Sequence, residues 1–217
     1  MHTLARYPVR EARLNRQAGK RAFTLIELLT VIGIIAILAA ITFGVIKGVN
    51  ERAAIGQAKT EMAVLAQALE AYKLQYGDYP RTGLGAVVPS TSTALAATHT
   101  QALLFNALVG KLGPKLSNAT EITASAINGK KFVELSKLSL ETTNLPDTTS
   151  TTAVLNCFLD PWGRRYMYYY DSTSAGWRLP SYILFSVGPD ATFTAPSATD
   201  AKYSDINNTD SIYAKRN

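Results

Sequence analysis

Cysteine and histidine are almost absent from this chain of 217 residues: Cys157 is the one thiol, and His2 and His99 are the two imidazoles. One thiol cannot close an intramolecular bridge, so no disulfide framework holds the fold. No His or Cys residues stand at metal-ligand spacing. There is also no Ser/His/Asp arrangement and no phosphate-binding glycine loop. These absences argue against an enzyme, and Cys157 reads as a small buried hydrophobe rather than a nucleophile.

Charge is scarce too, at 18% of residues, and it is unevenly placed. Arg6, Arg10, Arg13, Arg16, Lys20 and Arg21 face one acid, Glu11, so the first 22 residues hold +5 of the net +6. The remaining 195 residues are nearly balanced at +1. The basic pI therefore belongs to a leader and not to a nucleic-acid-binding surface, and no nucleic-acid partner is expected.

From 28 to 46 charge is missing altogether. Residues 23–46 read FTLIELLTVIGIIAILAAITFGVI, with Glu27 their only charge. As a helix they extend roughly 36 Å, enough to cross a hydrocarbon core of about 30 Å. The bases precede the run, which predicts a cytoplasmic N-terminus with the bulk of the chain outside. A secretory signal is the alternative, cut near "ILAAITFG" after Ala39 or Ala40. Its apolar core is ordinarily about 7–15 residues, shorter than this one. Glu27 is the anomaly. A carboxylate at the centre of a membrane helix costs about 2.5–3.5 kcal/mol, and less near an end, where it can snorkel.

The run "KRAFTLIEL", following a basic leader, resembles the processing site of type IV pilins and type II secretion pseudopilins. The resemblance implies that a prepilin peptidase cuts between Ala22 and Phe23 and that the new Phe23 amine is methylated. The family usually has Gly before the cut; here it is Ala22. It also implies an assembly role for Glu27, pairing with the N-terminal amine of a neighbouring subunit. In a packed, water-poor bundle such charges attract far more strongly than in water. An unpaired one is penalised, so the pair sets register more than it adds stability.

Helical character continues beyond the apolar run. Residues 47–76 contain no proline and many strong helix formers. Met62, Leu65, Leu69, Tyr72 and Tyr76 recur at three- and four-residue steps as one apolar stripe. Glu51, Lys59, Glu61, Glu70 and Lys73 are expected on the polar side. Gly44, Gly48 and Gly56 are candidate points of bending or close packing. Gly77 and Pro80, in "YGDYP", end the helix.

The rest alternates between loop-like and ordered stretches. Residues 86–100 carry six Ser/Thr and residues 141–153 carry seven, so both read as loops. Between them, residues 101–112 and 131–138 read as short amphipathic helices. Asp160, Pro161, Trp162 and Gly163 have the chemistry of a type I turn. "RRYMYYY" (164–170) and "YILFSV" (182–187) then read as antiparallel strands, with Trp162 buried on the helix stripe.

The order Asp-Pro-Trp-Gly, aromatic strand, "YILFSVGPD", "SDIN" resembles the C-terminal region of major pseudopilins. That resemblance implies a Ca²⁺ site using Asp190, Asp205 and the backbone carbonyl of Val187, with Asp200 nearby. Many type IV pilins close this region with a disulfide, which one cysteine cannot supply.

The expected architecture is α+β and pilin-like: a long N-terminal helix, transmembrane in its first half, packed on a small antiparallel sheet. Its parts are a leader (1–22), a membrane half (23–46), an amphipathic half (47–77) and a globular domain (78–217). The function implied by resemblance is a subunit of a type II secretion pseudopilus. Its partners are copies of itself, prepilin peptidase, membrane lipid and an inner-membrane assembly platform, and its place is the inner membrane and then a periplasmic filament. The alternatives are a subunit of a type IV surface fibre and a membrane-tethered or secreted protein of other activity.

Overall fold

The computed structural model describes residues 23–83, 90–113, 127–172, 175, 177, 179–190, 192–195 and 212–214. The leader, Ala22, Asp200 and Asp205 lie outside the described residues. The chain divides into two compact units, residues 1–47 and 48–217.

Helix α1 is Leu25–Tyr76. In the first unit its apolar side chains stand exposed, from Leu25 at 82% to Ile41 at 63%. Within it, Leu25–Thr42 has a mean hydropathy of 2.6, long and apolar enough to cross a membrane. Water would not tolerate such a face, so lipid or other apolar helices must cover it.

In the second unit the stripe behaves as its spacing dictates. Met62, Leu65, Ala68, Leu69 and Tyr72 are buried in the main core, with Tyr76 packed at its margin; Ala58, a turn earlier, is buried too. Glu61 departs from its expected solvent position. It is buried, accepting hydrogen bonds from the Tyr166 hydroxyl at 2.7 Å and Gln57 Nε2 at 2.8 Å. Gly48 and Gly56 are exposed, and an added Cβ at either would meet nothing, so neither serves close packing inside the subunit.

Helix α2, Thr100–Leu108, is buried on every side and packs against the strand Met167–Tyr169, where an amphipathic helix running to Leu112 is expected. Its polar residue Asn106 explains the difference. The side chain donates to the Ala102 and Val154 carbonyls and accepts from the Val154 amide, satisfying irregular backbone laid over the helix. The second expected helix is reduced to one 3-10 turn, Leu135–Lys137. Just before it, the amides of Gly129 and Phe132 are bonded to the carbonyls of Gly110 and Leu108, which holds that stretch along the end of α2.

The strands are short. β1 (Ser139–Leu140) pairs antiparallel with β2 (Phe158–Leu159). β3 (Met167–Tyr169), β4 (Ile183–Ser186) and β5 (Ile212–Tyr213) form an antiparallel sheet in that order, with Tyr168 opposite Leu184 and Phe185 opposite Tyr213. Side chains alternate between two faces. Tyr166, Tyr168, Tyr170, Tyr182 and Leu184 join the α1 core. Met167, Tyr169, Ile183, Phe185 and Val187 form a second cluster. Trp162 is half-buried and outside both clusters, contrary to expectation; Tyr166, Tyr168 and Tyr170 share the core with the stripe instead.

Candidate functional site

The N-terminal segment is built around Glu27. Thr24 caps α1: its side-chain oxygen accepts the Glu27 amide at 3.3 Å, and Glu27 Oε2 accepts the Thr24 amide at 2.9 Å and hydroxyl at 2.8 Å. This reciprocal arrangement is a capping box, which satisfies helix-end N–H groups that have no partner within the helix. It also orients the carboxylate, and both Thr24 donors reach one oxygen. Among the described residues, Oε1 receives no hydrogen bond. Phe23 is 83% exposed, one residue before the cap. Sequence reasoning located Glu27 but not Thr24, although Thr three residues before Glu is the signal of this motif.

A second polar centre lies at the Asp160 turn. The Gly163 amide donates to the Asp160 carbonyl at 2.9 Å, and Gly163 has φ +75°. The Asp160 carboxylate is buried, where it accepts the Trp162 and Arg164 amides and the Ser186 hydroxyl. Burial raises its pKa against the opposing pull of those donors.

Of the residues expected to hold calcium, Val187 is buried beyond β4 and Asp190 is exposed. Asp190 accepts the Thr192 amide at 3.1 Å and its hydroxyl at 2.5 Å, and these bonds hold the carboxyl below its usual range. The adjacent carbonyls of Gly188 and Pro189 accept Arg164 Nη1 and Nη2. Among the described residues no three acidic, His or Cys side chains gather as metal ligands. A guanidinium on those two carbonyls would repel a dication placed on them.

A third cluster surrounds Cys157, which is buried as expected. Glu141 accepts both Nε and Nη2 of the fully buried Arg165 at 2.6 and 2.5 Å, and the Cys157 thiol at 2.8 Å. Burial and the Glu141 carboxylate push the thiol far above its ordinary range, the reverse of an activated nucleophile. The fold also brings His99 into electrostatic range of Glu141 and Arg165, which sequence separation concealed; burial, then Arg165, lower its pKa. The cluster is a structural lock.

Comparison with known proteins separates these centres. Residues 17–43 match the prokaryotic N-terminal methylation motif, and residues 45–108 match type II secretion system (T2SS), protein G. The chain is type IV pilin-like, and most like the major pseudopilins of type II secretion. Type II secretion system core protein G of Dickeya chrysanthemi is 37% identical over 76 residues, which cover 34% of this chain and 50% of that protein. The Aeromonas hydrophila protein of that name is 38% identical over 82 residues, 37% of this chain and 55% of its own. The Escherichia coli (strain K12) one is 38% identical over 66 residues, covering 30% and 46%. The chain thus spans about half the length of the curated relatives it matches. No solved structure matches it. The Thr24–Glu27 box of this pilin-like chain falls inside the methylation motif, whereas Asp160, Glu141, Cys157 and Arg165 lie beyond the matched residues.

Proposed function

We propose that the chain is a non-catalytic structural subunit of a type II secretion pseudopilus. In this reading, prepilin peptidase removes the basic leader between Ala22 and Phe23, and the exposed amine is methylated. The subunit waits in the inner membrane with its N-terminus on the cytoplasmic side and its second unit in the periplasm. An inner-membrane assembly platform then stacks it with copies of itself into a periplasmic filament that helps export proteins.

One observation carries the proposal: a single carboxylate, bonded to its own cap through one oxygen, at the head of an exposed apolar helix. The capping box lowers the cost of keeping Glu27 in lipid before assembly. The oxygen that Thr24 leaves over is the natural acceptor for a neighbour's Phe23 ammonium. In low dielectric that pairing is strong and misregistered stacking is penalised, so the charges select one stagger between subunits. The names of the relatives and the lone cysteine favour a pseudopilus over a disulfide-closed surface pilin.

Mass spectrometry of the native material tests the processing step, with a mature chain starting at methylated Phe23 expected. Glu27→Ala and Glu27→Val should insert into membranes normally and lose most filament yield. Recovery of the intact precursor, a mature start after Ala39 or Ala40, or normal filaments from both variants would refute the proposal.

A further inference from the structure

The turn leading into β3 and the turn leaving β4 are joined by one continuous set of polar contacts. Asp160, 2% exposed, accepts the Trp162 amide at 3.0 Å, the Arg164 amide at 2.8 Å and the Ser186 hydroxyl at 2.6 Å. Ser186 Oγ in turn accepts the Gly188 amide at 3.1 Å. Arg164, fixed through its backbone by Asp160, sends its guanidinium across to the carbonyls of Gly188 and, at 2.8 Å, Pro189. The Gly188 amide and two successive carbonyls are therefore all held from the other turn or through Ser186. Gly188 has φ +74°, a conformation other residues adopt only under strain.

Convergent carbonyls of this kind concentrate negative potential, and a cation beside them relieves it. Here the cation is a side chain. A guanidinium is planar, stays charged at any ordinary pH and offers several N–H donors in a fixed fork, which matches two adjacent carbonyls. Asp190, the carboxylate of the same turn, is already bonded to Thr192. A calcium ion on these carbonyls would meet a like charge and would have to displace both Arg164 bonds.

We propose that Arg164 is the built-in cation of the turn at residues 187–190, so that this turn keeps its shape without calcium. The inference is independent of filament assembly, because it concerns contacts made within one subunit. Thermal unfolding of the full-length chain in detergent tests it. The wild-type midpoint should be the same in millimolar Ca²⁺ and in EGTA. Arg164→Ala should melt about 5 °C lower in both, the shift expected for losing two charge-assisted bonds. Arg164→Lys should fall between, since one ammonium lacks the fork. A wild-type midpoint raised several degrees by Ca²⁺ and restored by EGTA would overturn the proposal, as would an Arg164→Ala midpoint equal to wild type. The wild-type comparison decides the matter even where the alanine variant fails to fold.

Discussion

Glu141 and Arg165 show how much one residue pair can decide. Arg165 is fully buried and also donates to the Thr93 carbonyl, so it ties the residue 93 loop, the residue 141 loop and the strand region together. Burial opposes ionisation of Glu141, but bonds from Arg165 and Cys157 outweigh it and hold the carboxyl below its ordinary value of 4.5. A folded pKa below the unfolded one means stability that is complete above about 4.5 and lost as pH falls beneath it. Asp160 works the other way: its raised pKa favours the folded state more as it protonates, which offsets part of the acid loss. Glu141→Gln leaves a buried guanidinium without its counter-charge and should cost about 3 kcal/mol at neutral pH. Denaturant unfolding at neutral and acidic pH would show this, together with a smaller acid loss in the variant than in wild type.

At the scale of elements, local rules worked where one face repeats. The stripe of α1 was legible because three- and four-residue steps put Met62, Leu65, Leu69 and Tyr72 on one side, and all four are buried. The strand "RRYMYYY" was legible because period two sorts its tyrosines onto two faces. The hydroxyls of the inner three were not legible: Tyr166 reaches Glu61, Tyr168 the Pro80 carbonyl and Tyr170 Asp78. Those bonds dock β3 on α1 and its exit turn, and they account for the burial of Glu61. Residues 101–112 are helical as expected as far as Leu108, but buried all round between β3 and irregular backbone, whereas 131–138 keep only the turn Leu135–Lys137.

The crossing after α2 gives a sharp test. Gly110 has φ +78°, and a Cβ there would stand 2.5 Å from the Gly129 carbonyl oxygen and 2.7 Å from that of Lys130. Gly110→Ala should cost about 3 kcal/mol through combined backbone strain and overlap. Gly163→Ala, with φ +75° but open space around it, should cost only about 1 kcal/mol. Equal melting temperatures for the two variants would contradict the close approach at Gly110.

For the whole molecule, the division at residue 47 separates two solvent regimes. The first unit exposes an apolar helix surface, whereas the second encloses its own clusters around α2 and the sheet. A fragment of residues 48–217 should dissolve without detergent and melt cooperatively, while the full chain requires detergent. Size-exclusion chromatography and calorimetry would report it, and aggregation of the fragment with no unfolding transition would contradict it.

By itself the sequence determined the apolar run, its one carboxylate, the length of the helix and the alternation of β3, since each depends on residues within a few positions of one another. Folding in three dimensions was needed to bring Arg164 to the carbonyls of Gly188 and Pro189, Glu141 to Arg165 and Glu61 to Tyr166. Those partners stand between 24 and 105 residues apart in sequence. A polar group leaves water for the interior when folding brings a complementary group to it, and that distance in space is written in no single stretch of the chain.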